Sequence, residues 1–405
     1  MSDILEKNFN IIETFVGAGG AHLGFQQAGF KSLLVNDNEK YTIDTLLLNK
    51  IINDKDYLLC PIEEITENII KSKINIDNID VLFGGIVCKG FSLAGVRNPF
   101  DKRNYLYEHQ LRIVNILKPK VSIIENVTAI KNMVLYKKCL ETEKTFIDYT
   151  KISDNNKLLN GEKSSRRKNN LEYNDINLVI NKNKKKMEEL LENIEKYKFN
   201  ILDDIKQKYK EMGYKYYEKI LQTDNYGGYT NRKRIIIVAV KNSIEKEYVF
   251  PNELSYKYTL NDALKLIDYN GINNPSIDED NRPMKHNQKT INRFKMIPEG
   301  KNIADVIDDI PDELKISAFY SRGNTQRLNR NLPVPTLVPG HSNFPIHPTE
   351  HRSITVREAA TITGFPLNYK FTGSHTSKCI QIGNAVPVQL AYHIALSIKN
   401  LLSNT

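Results

Sequence analysis

Two side chains that end apolar runs in this sequence could do covalent or proton chemistry. Cys88 follows Ile79-Asp80-Val81-Leu82-Phe83 and the paired glycines Gly84-Gly85. A short hydrophobic strand that runs through glycines into a cysteine is how a parallel sheet presents a nucleophile at the carboxyl ends of its strands. A free cysteine is also commonly a small buried hydrophobe, and the neighbours of Cys88 alone do not choose between the two. Glu125 ends a second run, Val121-Ser122-Ile123-Ile124, and is followed by Asn126-Val127. A carboxyl placed there can serve as an acid or base towards a substrate, or be a surface carboxylate. A basic cluster, Arg232-Lys233-Arg234, precedes the apolar run Ile235 to Val240; standing alone it reads as a solvated turn.

The elements that must position these groups start near the N-terminus. Asn10 to Phe15 is a strand candidate that runs into Val16-Gly17-Ala18-Gly19-Gly20-Ala21-His22, where helical spacing begins. Strand, glycine turn and helix open a nucleotide-type α/β unit, because only glycine lets the backbone approach a ligand with dihedrals that a Cβ forbids. The next strand candidate, Lys31 to Asn36, delivers Asp37 near the spacing at which a carboxylate grips ribose hydroxyls. Strand candidates at 56–59, 79–84 and 121–124 alternate with helix candidates at 62–71 and 105–117, a rhythm that implies a parallel sheet. A helix at 201–212, an alternating run at 214–221, a glycine turn and the strand at 235–240 then close the sheet edge.

Two stretches break the rhythm. Residues 132–201 turn rich in Lys, Asn, Glu and Asp, as in Lys163 to Asn170 and Asn181 to Lys186, and read as a solvated or disordered insertion, helical near 187–197. Residues 246–344 are dominated by Pro, Asn and Asp with short helical pieces and read as a separate small domain. Order returns at Ser353 to Ala360, Gly364-Phe365-Pro366 and Gly383-Asn384-Ala385-Val386-Pro387, ahead of an amphipathic helix at 388–402. Pro387 suits a first helical turn.

The 405 residues suffice for a large core, and the four cysteines form no CxxC pair, which argues against structural zinc and a disulfide scaffold. No leader-like segment opens the chain and no stretch is apolar for long enough to cross a bilayer, so a cytoplasmic protein is expected. A formal net charge of +9 favours a polyanionic partner.

Taken in order, Phe15-Val16-Gly17-Ala18-Gly19-Gly20, Cys88 after a glycine-ended strand, Glu125-Asn126-Val127, Arg232-Lys233-Arg234 and Gly383-Asn384-Ala385-Val386-Pro387 resemble the DNA (cytosine-5) methyltransferases. The resemblance implies an α/β, doubly wound S-adenosylmethionine-dependent methyltransferase fold with a second, smaller DNA target-recognition domain. Residues 1–245 and 345–405 would form the catalytic part and 246–344 the recognition domain. It further implies Cys88 as nucleophile, Glu125 as acid at the base, Arg234 at its O2 and Arg232 in support. S-adenosylmethionine would lie against Phe15, Gly17, Gly19 and Gly20, with Asp37 on the ribose and Asn384 and Val386 closing the pocket. No metal is implied. Double-stranded DNA would be the partner of a monomeric enzyme, with a restriction endonuclease as companion in such systems. In the recognition domain, His286 to Lys289, Arg293, Lys295, Arg322 to Asn324 and Arg327 are side chains able to read bases or phosphates.

The chain departs from the family at Val87 and Lys89, where proline and glutamine normally flank the cysteine, at Thr230, usually glutamine, and at Pro61, commonly an adenine-contacting aspartate. Two other readings stay open at this point: a tRNA cytosine-5 methyltransferase, whose Cys-Phe-Thr element is not found here, and a DNA-binding homologue that has lost turnover through Val87 and Lys89. An ammonium beside a thiol lowers its pKa. Lys89→Gln is therefore expected to raise the apparent pKa of the pH–rate profile for methyl transfer, and an unchanged profile would remove that role for Lys89.

Overall fold

The computed structural model describes residues 9–86, 100–316, 325–338 and 344–403; Val87, Cys88, Lys89 and the Arg322 to Asn324 stretch lie outside them. The chain forms two compact units, one of residues 1–87, 108–128 and 209–405, the other of 88–107 and 129–208.

The first unit is built on a seven-stranded sheet. Its strands are β1 (Asn10–Thr14), β2 (Lys31–Asp37), β3 (Tyr57–Leu59), β4 (Val81–Gly85), β5 (Val121–Asn126), and two that follow the second unit's β6 (Val134–Tyr136) and β7 (Lys198–Asn200): β8 (Tyr214–Gln222) and β9 (Lys233–Lys241). The spatial order is β3-β2-β1-β4-β5-β9-β8. β1 to β5 pair in parallel, whereas β9 is antiparallel to both β5 and β8. The central strands are continuous apolar runs, with Val81, Leu82, Val121, Ile123 and Ile235 to Val240 at 0% exposure, as a sheet covered on both faces requires.

The crossovers carry α1 (Gly20–Gln27), α2 (Lys40–Leu48), α3 (Glu67–Lys73) and α4 (Leu106–Leu117). In place of one helix over 62–71, a 3-10 turn at Ile62–Glu64 precedes α3, and Thr66 caps that helix by accepting the N–H of Ile69. In the second unit, α5 (Leu140–Lys168) and α6 (Asn174–Glu192) form an antiparallel hairpin whose base is the β6–β7 pair. Two long helices thus stand where the sequence suggested mostly solvated chain. Their apolar residues are sparse: near the base Phe100, Tyr136, Tyr149 and Ile194 make a core with Phe146, Met187 and Leu190, and nearer the turn Ile176 and Ile180 are buried. Then come α7 (Ile201–Glu211), α8 (Leu260–Leu264), α9 (Gln288–Lys295), α10 (Val356–Thr363), α11 (His375–Asn384) and α12 (Val388–Ser403).

The C-terminal helix α12 packs on the core of the sheet. Leu390, Ile394 and Ile398 of α12 join Phe25, Phe83, Ile236 and Val238 in one core. Helices α1 and α12 approach closely at Gly24, where an added Cβ would lie 2.6 Å from both Ala391 Cβ and Tyr392 N. Residues 246–344 fall in the same unit as the sheet: Leu260, Leu328 and Val334 pack with Leu23, Ile362 and Ile382, while Phe294, Ile297, Ile303, Ile310 and Ile346 make a small core of their own.

One ionisable pair sits inside this packing. His22 Nδ1 is 2.5 Å from Glu13 Oε2, and the two side chains are 2% and 1% exposed. His22 Nε2 faces the Ile51 carbonyl at 3.2 Å. Both ring nitrogens meet acceptors, an arrangement that only the imidazolium satisfies fully. Burial opposes the charge, but Glu13 and the Ile51 carbonyl outweigh it and raise the His22 pKa above 6.5. A raised histidine value stabilises the fold below the unfolded pKa, and the contribution is lost as pH rises through the folded one. The Tm of His22→Gln is therefore expected to fall a few degrees below wild type under about pH 6.5, with the gap closing at higher pH. A gap that is constant from about pH 5 to 9 in thermal melts would contradict this.

Candidate active site

The carboxyl ends of β1, β2, β4 and β5 and the start of β9 meet at one edge of the sheet. At β1 the chain leaves the strand with Phe15 at φ +53°, Gly17 at +56° and Gly19 at +84°. A bulky residue in the left-handed region is strained by about 1–3 kcal/mol and tends to mark a functional turn. The loop is held by Val16 N–H on the Asn36 carbonyl (3.0 Å), Gly19 N–H on the Val16 carbonyl (3.1 Å) and Gly17 N–H on Asp37 Oδ2 (2.8 Å). A Cβ built on Gly17 would meet nothing within 4 Å, so the loop borders open space and leaves room for a bound group.

Asp37 is buried and turned towards this loop. Its Oδ1 accepts the N–H of Glu39 at 2.9 Å, so the carboxylate ties the ends of β1 and β2 together with lone pairs left for hydroxyl donors. Burial raises its pKa, opposed by the two N–H donors. On the other side of the loop an added Cβ at Gly20 would lie 2.2 Å from the Val386 carbonyl, which is why no larger residue fits there. The structure therefore brings the Phe15 to Gly20 loop, Asp37 and Val386 together. Asn384 ends α11 as an exposed side chain.

Glu125 and the two arginines meet for a topological reason. Because β9 is antiparallel to β5, Glu125 and Asn126 pair with Ile236 and Ile235, and the start of β9 lies beside the end of β5. Arg234 Nε is 2.8 Å from Glu125 Oε1, with side chains 10% and 8% exposed. It is a close ion pair and not an aligned hydrogen bond. Arg234 also donates from Nη1 to the Lys233 carbonyl at 2.7 Å. Burial lowers the Arg234 pKa against the pull of Glu125.

Arg232 faces elsewhere. It donates from Nη1 to the Gly383 carbonyl (2.6 Å) and from Nη2 to the Asn384 carbonyl (3.3 Å), the orphan carbonyls that end α11. Burial and then the Arg234 charge push its pKa well below the ordinary arginine value, with Glu125 opposing. Its donors thus hold the Gly-Asn-Ala-Val-Pro segment in place, which is a positioning role. Asn126 acts similarly on the other flank: its amide donates to the Ile86 carbonyl at 3.2 Å and its carbonyl oxygen accepts the Val127 N–H at 2.8 Å.

A cleft of about 420 Å³ opens here, lined by Val127, Thr128, Gln222, Asn231, Lys233, Arg234 and Thr336. The sequence reading missed Thr128, Gln222 and Thr336. Gln222 ends β8, and its place on the cleft follows from the β8–β9 hairpin, a pairing visible in the alternating run without its register. The Phe15 to Gly20 loop and Glu125 are also close to one another. A Cβ added to Gly85, at the end of β4, would lie 3.5 Å from the Phe15 carbonyl and 3.9 Å from Glu125 Oε2. The nucleophile candidate Cys88 lies outside the described residues.

Some side chains suggested as DNA readers are committed to the fold. Arg327 is 4% exposed and donates to the carbonyls of Phe294, Ile297, His347 and Glu350 at 2.6–2.7 Å, so it cannot reach a duplex. His286 Nε2 accepts the Ser353 N–H at 3.2 Å, and Arg293 Nε donates to the Leu314 carbonyl at 2.7 Å. Lys289 and Lys295 are exposed on α9. Among the described residues, no three His, Cys, Asp or Glu side chains cluster as metal ligands, and no helix is long and apolar enough to cross a membrane.

The family described as C-5 cytosine-specific DNA methylase matches residues 9–150 and 160–400. The chain belongs to that family. Among curated relatives, the Type II methyltransferase M.Sau96I of Staphylococcus aureus is 28% identical over 98% of this chain and 77% of its own length. M.Eco47II of Escherichia coli is 28% identical over 97% and 79%. Among solved structures, an E. coli prophage-encoded protein described as a DNA modification methyltransferase superposes with a TM-score of 0.63 at 23% identity, covering 98% of this chain and all of that one. The Entamoeba histolytica methyltransferase EhMeth gives 0.56 at 14%, covering 97% and 98%. Both share the fold. Members of a C5-methylase family use S-adenosylmethionine as methyl donor.

Asp37→Ala would strip the acceptor from the Gly17 N–H of the loop and from the Glu39 N–H at the start of α2, a loss of roughly 1–3 kcal/mol in positioning the loop. The Kd for S-adenosylmethionine by calorimetry is expected to rise by about tenfold or more, with a smaller change in kcat at saturating cofactor. An unaltered Kd would separate Asp37 from the cofactor site.

Proposed function

We propose that this DNA (cytosine-5-)-methyltransferase moves the methyl group of S-adenosylmethionine to C5 of a cytosine swung out of a specific duplex sequence, as the modification arm of a restriction–modification system. The observation that carries the residue assignments is the position of Gly85, within van der Waals reach of both the cofactor-loop carbonyl and the Glu125 carboxylate. A methyl donor on the loop and a base held at Glu125 would then be neighbours. The names of the Type II relatives support the restriction–modification setting.

Cytosine C5 is a poor nucleophile. Cys88, as thiolate, would add to C6 and make C5 enamine-like. Charge pushed onto the ring is relieved by a hydrogen bond between the Glu125 carboxyl and N3. Arg234, already on the cleft, would take O2, while Arg232 holds the segment at 383–386 against the glycine loop. Asp37 would accept from the ribose hydroxyls, and Phe15, Gly17, Gly19, Gly20, Asn384 and Val386 would line the cofactor. S-adenosylmethionine supplies the electrophilic methyl group. A base, for which water suffices, removes the C5 proton before the thiolate leaves. Flipping the base costs a few kcal/mol of unstacking, and residues 246–344 would repay it by gripping the duplex as the recognition domain. We place the enzyme in the cytoplasm as a monomer.

Duplex DNA carrying 5-fluorocytosine halts the reaction before elimination, so the enzyme is expected to form a covalent adduct that Cys88→Ser abolishes on denaturing gels. Glu125→Gln should lower kcat by about 10²–10⁴. A wild-type protein that binds cofactor and yields no adduct would overturn the reading.

A further inference from the structure

The α5–α6 hairpin sorts its charges along its length. The half that carries the turn, residues 157–186, has nine Lys or Arg and three Asp or Glu. The opposite half, 140–156 with 187–192, has two and seven. The helices run antiparallel, with Asn183 donating to Asn156 Oδ1 at 2.8 Å and Arg166 paired with Asp175 at 2.9 Å, so the α5 cations Arg166 to Lys168 lie by the turn and the Lys182 to Lys186 run of α6 lies midway along the hairpin, at the inner edge of the same half. A 29-residue helix extends about 43 Å.

The acids at the basic end are already engaged. Glu162 and Asp175 pair with Arg166, and Glu172 accepts from Asn174. Arg167, Lys168, Lys182, Lys184, Lys185 and Lys186 are exposed and form no ion pair among the described residues. The lysines of α6 also repel one another, since Lys182 lies three and four positions from Lys185 and Lys186, a spacing at which like charges destabilise a helix. They are interior to α6, so the dipole at a helix C-terminus does not offset the cost. A helix needed only for solvation would interleave signs, as Lys151 with Asp148 and Lys157 with Asp154 do further down α5. A linear polyanion removes the repulsion.

We infer that the basic half of this hairpin is a sequence-independent contact surface for the phosphate backbone of duplex DNA, separate from base reading. Of the polyanions, duplex DNA is favoured because it is the substrate class of the enzyme; to that extent the inference rests on the methyltransferase reading. Contacts of this type set affinity and salt dependence and leave sequence choice alone.

The test is the full-length enzyme with Lys182→Gln, Lys184→Gln, Lys185→Gln and Lys186→Gln combined, glutamine being nearly as good a helix former as lysine. Binding to a long duplex is measured against salt concentration. Each lost phosphate contact flattens the slope of log K against log[salt] by about 0.9, so a decrease of up to about 3.6 is expected. The kcat at saturating DNA and the methylated sequence should stay unchanged, which also reports that the variant folds. Lys144→Gln with Lys151→Gln, on the acidic half, should leave the slope alone. A quadruple variant with the wild-type slope overturns the inference, as does a slope change confined to RNA. Since the slope is read from binding, a wild-type enzyme that forms no 5-fluorocytosine adduct would count against the methyltransferase reading and leave this result to be judged alone.

Discussion

The candidate site depends on β9 running antiparallel between β5 and β8. A parallel strand in that slot would carry its carboxyl end, not its start, to the working edge, and Arg232 and Arg234 would lie at the opposite edge of the sheet. As built, the register that pairs Asn126 with Ile235 puts Arg234 within 2.8 Å of Glu125, although more than a hundred residues separate them. The turn before β9 thus decides which charges meet Glu125. Ile235 to Val240 are buried on both faces, so their burial alone does not choose the register, but a slip of one residue would turn Arg234 to the face away from Glu125.

A second constraint is backbone approach. Helix α1 is pressed between the sheet and the C-terminal segment, with Gly20 against the Val386 carbonyl and Gly24 against Ala391 and Tyr392. The glycines therefore do two jobs: Gly17 and Gly19 supply left-handed dihedrals around the loop, and Gly20 and Gly24 supply proximity. Arg232 links both constraints, since it leaves the start of β9 to hold the carbonyls of Gly383 and Asn384. One buried guanidinium thus ties the start of β9 to the segment that packs against the glycine loop.

Much of this was legible because it is written in short contiguous patterns. The strand–glycine–helix opening, Asp37 at the end of β2 and Glu125 at the end of β5 each follow from an apolar run and the residue that ends it. What was hidden depends on long-range pairing. Arg327 looked like a DNA reader because arginine on a polar stretch usually is exposed, yet four backbone carbonyls bury it; no local pattern announces where carbonyls will converge. Gln222 reached the cleft only through hairpin register. The α5–α6 hairpin was hidden for another reason: its apolar residues are sparse, and periodicity averaged over the Lys- and Asn-rich run is too weak to mark helices.

The charges at the site are set before any ligand arrives. Arg232 and Arg234 are both buried and repel each other, and Glu125 is the carboxylate, among the described residues, that raises both their pKa values. The C-terminal carbonyls of α11 absorb part of the Arg232 charge, leaving Arg234 and the cleft-lining Lys233 facing the opening. Two cations are then balanced by one anion in a region where desolvation is already spent. Such an excess favours a bound group that carries or develops negative charge over a neutral one. The same excess penalises a site with Glu125 neutralised and no ligand bound, so replacing Glu125 also weakens the packing of Arg234 and of Arg232, which holds the carbonyls of Gly383 and Asn384.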